Sequence, residues 1–212
     1  MPEFDTPHGP ARVHLHPVAS ARAALVLGHG AAGGVAAPDL VTAADAAHAE
    51  GVAVALVEQP YRVAGRRSPA PARQLDAAWT AVVGQLAAGD LRGLPLVVGG
   101  RSLGARVACR TAAAVGAVAV LCLAFPLHPP GRPAAPSRLP ELAGLGVPVL
   151  VVQGERDPFG IPPPGPDRTV ALVPGDHRLR DLEAVSSAVR AWLPAILVPA
   201  GRSRSVTGSV PA

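Results

Sequence analysis

The 212-residue sequence predicts an α/β domain: a mostly parallel sheet covered by helices on both faces. Three observations carry that prediction. Short, continuous apolar runs alternate with helix-length segments along the chain. Hydrophobic residues make up 49% of the sequence and charged residues 16%, the balance of a sheet with no wet face. The residues able to do chemistry follow the apolar runs, at the strand ends where open parallel sheets carry their sites.

The elements follow in order. Residues 1–10 are rich in Pro and Gly and read as a flexible N-terminus to a domain spanning 11–199. Val13-His14-Leu15-His16 alternates like an edge strand, with both histidines facing solvent. Ala23–Leu27 is a buried strand ending in Gly28-His29-Gly30-Ala31-Ala32-Gly33-Gly34. Pro38-Asp39 opens a helix that reaches about Glu50, and Gly51 stops it. Val52–Val57 is the next strand, followed by Glu58 and a basic, Pro-containing loop over 62–71. Arg73–Ala88 has helical character. Leu96–Val98 leads into Gly99-Gly100-Arg101-Ser102-Leu103-Gly104, and a small-residue helix follows. Ala117–Ala124 is a strand, and residues 125–140 are too irregular for a folded cap. Val147–Val152 and Thr169–Val173 are the last strands; Leu182 to about Leu197 is the closing helix, interrupted by Pro194. Residues 200–212 read as a disordered tail.

Composition excludes several classes. All 19 basic residues are arginine. Without lysine there is no P-loop phosphate lysine, no Schiff-base lysine for pyridoxal phosphate and no kinase strand lysine. Net charge is +4, but the arginines are scattered and form no helix stripe, and aromatics are only 3%. Nucleic-acid binding is therefore not expected. The run Ala112–Phe125 is too short to cross a membrane and contains Gly116. Cys109 and Cys122 read as small buried hydrophobes. With no disulfide framework and an acidic rather than basic start, the cytoplasm is the expected location.

The chemistry centres on Gly100-Arg101-Ser102-Leu103-Gly104, a G-x-S-x-G pattern between a strand and a helix. A turn that lifts a serine above a sheet edge crowds its neighbours, so small flanking residues are needed. A serine hydroxyl is a weak nucleophile and requires a base, which in turn requires an orienting partner. His177 follows the last strand and Asp157 the strand before it. Asp157 alone reads as a turn residue before proline, and His177 alone as a loop histidine; together they stand at successive strand ends. Asp176 is a poor orienter, because adjacent side chains diverge, and Asp167 precedes its strand. His128 is the rival base. The Leu103 N–H and, from the loop after the second strand, the Ala31 N–H are the candidate oxyanion donors. The same loop fits a dinucleotide fingerprint, Gly28-x-Gly30-x-x-Gly33 with Glu58 as ribose acid, although Gly34 and Pro38 push the helix start late.

From roughly Val13 to Leu197 the chain resembles the α/β-hydrolases. Gly-His-Gly-Ala, Gly-Arg-Ser-Leu-Gly, Gly-Glu-Arg-Asp-Pro-Phe and Gly-Asp-His stand in the family's order. Together with the loop Gln59–Arg67 they are similar to the small, lid-poor group near dienelactone hydrolases, including the testis-expressed and NSL-complex hydrolase-like proteins. The resemblance implies a three-layer α/β-hydrolase fold with no large cap domain. It also implies a serine hydrolase triad of Ser102, Asp157 and His177, acting on a small-molecule ester or thioester without metal or organic cofactor. Some members of the group are non-enzymatic subunits, so an interaction protein with a vestigial triad stands as the alternative. Arg62, Arg66 and Arg67 flank the expected mouth and are candidate contacts for an anionic substrate.

Overall fold

The apolar runs become strands. In the computed structural model, which describes residues 1–132 and 134–197, they are β1 (Glu3–Phe4), β2 (Ala11–His16), β3 (Ala23–Gly28), β4 (Val52–Glu58), β5 (Leu96–Arg101), β6 (Ala119–Leu123), β7 (Val149–Gly154) and β8 (Arg168–Val173). They form one sheet in the order β1-β2-β4-β3-β5-β6-β7-β8. From β4 to β8 every pair is parallel, while β1 and β2 are antiparallel to their neighbours. The helices are α1 (Pro38–Ala49), α2 (Pro60–Val63), α3 (Ala72–Ala88), α4 (Leu103–Thr111) and α5 (Leu182–Ile196).

The two-residue period of a strand divides the core into two layers. On one face Ala24, Val26, Val98, Val120 and Val151 pack against α3 and α4, with Trp79 fully buried. On the other, Leu25, Leu27, Val97, Leu121 and Leu150 pack against Leu40 of α1 and Val185, Val189 and Leu193 of α5. Both faces of the central strands are therefore dry, which is why they read as unbroken apolar runs. The thiols of Cys109 and Cys122 meet inside this core at 3.5 Å. Their mutual hydrogen bond, with burial, holds the Cys122 thiol well above its ordinary range. Among the described residues, no helix is long and apolar enough to cross a membrane.

Several expectations need correction. The N-terminus expected to fray contains β1, whose Glu3 and Phe4 pair with Arg12 and Ala11. A Thr6–Gly9 turn, closed by the Thr6 hydroxyl on the Gly9 carbonyl at 2.6 Å, makes the hairpin. Gly9 takes φ +100°, which suits only glycine there. The loop expected from residue 62 opens inside α2. The strand expected over Val147–Val152 runs from Val149 to Gly154, starting after Pro148. The strand expected from Ala117 starts at Ala119. Pro194 does not interrupt α5, because in the last turn it removes only one helical hydrogen bond. Among the described residues, 125–140 hold no cap and end in a 3-10 turn, Leu139–Glu141. The tail expected from residue 200 lies outside the described residues.

Candidate active site

Backbone contact between glycines builds the site. A Cβ on Gly100 or on Gly104 would run into the Gly28 carbonyl oxygen, and one on Gly28 would meet the Trp79 ring at 3.1 Å. The end of β3 therefore lies directly against the turn between β5 and α4. Ser102 sits at the apex with φ +51° and ψ −105°, a conformation that costs a non-glycine residue about 1–3 kcal/mol. Its N–H is anchored on the Leu123 carbonyl at 2.8 Å. Ion pairs from Arg106 to Glu141 and from Arg110 to Asp76 fix α4 behind it.

His177 arrives on the loop after the edge strand β8. A Cβ on Gly154 would collide with the backbone of Asp176, so only glycine lets the loop after β8 cross the end of β7 this closely. That crossing sets His177 between its partners. Nε2 accepts from the Ser102 hydroxyl at 3.0 Å, and Nδ1 donates to Asp157 Oδ2 at 2.8 Å. An ionised carboxylate can only accept, which fixes the proton on Nδ1 and leaves the Nε2 lone pair toward serine. Asp157 has a fully buried carboxylate. It also accepts the Phe159 N–H on Oδ1 and the Gln153 amide on Oδ2, both at 2.8 Å. Asp176 takes no part. Its carboxylate accepts the Arg178 N–H, which, ahead of the neighbouring arginines, lowers its pKa. His128 bonds the Ala135 carbonyl at 3.1 Å instead of the serine.

The loop after β3 lies over Ser102. A Cβ on Gly30 would come within 3.8 Å of Ser102 Cβ. His29 pins this loop from inside: Nε2 accepts the Gln59 N–H at 3.1 Å and Nδ1 donates to the Gly30 carbonyl at 2.9 Å. Burial lowers the His29 pKa and keeps the ring neutral for that pair of bonds. The Tyr61 hydroxyl donates to the Ala31 carbonyl at 3.2 Å. Leu103 opens α4, and neither its N–H nor that of Ala31 meets an acceptor among the described residues. Helix α1 starts only at Pro38, so the glycines of this loop do not open a helix as a dinucleotide fingerprint requires. Among the described residues, no three His, Cys, Asp or Glu side chains are placed to hold a metal ion.

A family model described as an alpha/beta hydrolase domain matches residues 21–164. The chain belongs to the alpha/beta hydrolase family. Solved structures share the fold of this alpha/beta hydrolase at low identity. A serine hydrolase without lid from Xanthomonas campestris is 23% identical with a TM-score of 0.72, covering 91% of this chain and 94% of its own. Est1E from Butyrivibrio proteoclasticus is 16% identical with a TM-score of 0.75, covering 92% and 98%. A dienelactone hydrolase from Anabaena variabilis is 17% identical with a TM-score of 0.72, covering 91% and 95%. No curated protein matches the chain.

The alpha/beta hydrolase site also uses residues that sequence reasoning missed. Gln153 is fully buried, and the two N–H of its amide are shared among three acceptors, the Phe125 and Gly160 carbonyls and Asp157 Oδ2. A lone amide closing an apolar strand was the available signal. Phe159 stacks on the His177 ring. Arg101 ion-pairs with Asp39. The basic loop lines a cavity of its own. Exposed Arg66 and Arg67 line a cavity of about 510 Å³ with Tyr61, Pro69 and Gln74, and no triad residue lines it. Arg62 is half-buried, with its Nε lacking a partner among the described residues.

Proposed function

We propose that this alpha/beta hydrolase is a serine esterase or thioesterase of carboxylesterase or dienelactone-hydrolase type. Ser102 attacks the acyl carbonyl while His177 Nε2 takes its proton. Asp157 holds the imidazole in that tautomer and stabilises the imidazolium. The Ala31 and Leu103 N–H groups receive the oxyanion. His177 returns the proton to the departing alcohol or thiol, leaving an acyl-serine. Water, deprotonated by the same nitrogen, releases the acid and restores Ser102. No step calls for a cofactor.

The observation that carries this reading is the continuous hydrogen-bond chain Ser102–His177–Asp157, at 3.0 and 2.8 Å, on a serine held in a strained turn. A cavity of about 570 Å³ adjoins the site. Ala32, Gly33, Asp39, Arg101, Arg178 and Leu179 are among the residues that line it; the triad side chains themselves do not, so it lies beside the site, against the loop after β3 and the loop that carries His177. That volume suits a small acyl compound. The test is labelling of the intact protein with a fluorophosphonate probe. Stoichiometric labelling, abolished by Ser102→Ala, is expected. An unlabelled protein beside a reacting control esterase would refute the enzymatic reading and favour a hydrolase-fold interaction protein.

A further inference from the structure

Arg101 ends β5 immediately before Ser102, and its side chain reaches across to two other segments. Its Nε donates to Asp39 Oδ2 at 2.7 Å, and Nη2 donates to the His177 carbonyl oxygen at 3.0 Å. Its Nη1 lies 3.0 Å from where a Cβ on Gly30 would stand. One planar guanidinium thus touches the loop over the serine, the start of α1 and the loop that carries the base. These segments lie far apart in sequence, and His177 is 76 residues from Arg101.

The environment makes the contact directional. Asp39 is 2% exposed and the Arg101 side chain 17%. A charged pair this dry is tolerated only when its hydrogen bonds are well made. Asp39 is itself fixed: it stands in the first turn of α1, where a carboxylate is favoured, and its Oδ1 accepts the Leu40 N–H at 3.0 Å. With Nε held by Asp39, the rigid fork aims Nη2 at a single place. That place is the main chain of the residue whose ring must face serine and aspartate at once.

Resting on the serine-hydrolase reading above, we propose that Arg101 is a positioning residue. Clamped by Asp39, it holds the His177 backbone so that the imidazole spans Ser102 and Asp157. Arg101 touches no reacting atom; it acts through His177.

The test compares Arg101→Met, Arg101→Lys and Asp39→Asn with the wild type. Readouts are the fluorophosphonate labelling rate per titrated site, kcat and KM for p-nitrophenyl acetate, and the ¹H–¹⁵N signal of the His177 Nδ1–H. Arg12→Met, which breaks the exposed Arg12–Glu3 pair of the N-terminal hairpin, controls for simple loss of an ion pair. Arg101→Met is expected to slow labelling and kcat at least about tenfold with KM little changed, as an ångström-scale misplacement does. The His177 signal should broaden. Arg101→Lys should recover part of the rate, since an ammonium can reach one of the two acceptors. Asp39→Asn should follow Arg101→Met, and Arg12→Met should leave labelling, kcat and the His177 signal as in the wild type. Wild-type kcat and an unchanged His177 signal in Arg101→Met would overturn the proposal. If the wild type fails to label, the hydrolase reading falls, and the clamp on His177 is then judged by the ring signal alone: broadening supports it, and an unchanged signal refutes it.

Discussion

The ring of Phe159 stacks on the imidazole of His177, with centroids 4.1 Å apart and planes 28° from parallel. The backbone N–H of the same residue donates to Asp157 Oδ1. Phe159 therefore touches both His177 and Asp157, one through its face and one through its main chain. A proline-phenylalanine step after the acid looks from sequence like turn chemistry. Here it is the wall against which the His177 ring lies.

Phe159→Ala keeps the Asp157 hydrogen bond, because the N–H remains, and removes the stacked face. The expected result is a several-fold lower fluorophosphonate labelling rate. A stability loss of about 0.5–1.5 kcal/mol beyond the lost burial should appear in a denaturant titration.

The glycines divide by what lies opposite them. Gly104→Ala drives a methyl into the Gly28 carbonyl, and backbone cannot step aside. Expected is loss of more than about 3 kcal/mol, or insoluble protein. Gly33→Ala, with nothing within 4 Å of the new methyl, should stay within about 0.5 kcal/mol. Parallel thermal melts of the two variants check the contrast.

Ser102 carries backbone strain that no side-chain change except glycine relieves. Ser102→Ala should abolish labelling and leave Tm near the wild type. Ser102→Gly should abolish labelling and raise stability by about 1 kcal/mol, a few degrees in Tm for a chain of this size. Equal melting temperatures for the two variants would show the turn to be relaxed.

The buried His29 makes stability depend on pH. Its folded pKa lies below the ordinary 6.5, mainly through burial. Above pH 6.5 it is neutral folded or unfolded and adds no slope. As pH falls below 6.5 the unfolded chain takes up the proton first, so stability is lost toward the folded pKa. Protonation also replaces the Nε2 lone pair that accepts the Gln59 N–H. His29→Asn should be less stable than wild type at pH 8, with a gap that narrows below pH 6.5 in pH-dependent melts.

Some of this was legible in the residues and some was not. Strand and helix alternation reports local sterics and burial period, so the strands and the longer helices from Ala23 to Ile196 came within a few residues of their observed bounds, while the one-turn helix α2 did not show. Gly100-x-Ser102-x-Gly104 is a local steric requirement as well, and the order Ser, Asp, His follows strand order in a parallel sheet. The N-terminal hairpin was missed because Pro and Gly mark both fraying and tight turns; only pairing with β2 tells them apart.

What the chain by itself determined is the layered fold, the strained serine and the strand ends from which acid and base would come, all products of short-range sterics and apolar periodicity. Tertiary structure alone decided that the imidazole reaches both partners. The Gly154 gap under Asp176, the Gln153 amide, the Phe159 wall and the Arg101–Asp39 link all depend on which backbones pass within a few ångströms of one another. Such proximity has no period and no motif, so no local pattern of residues carries it.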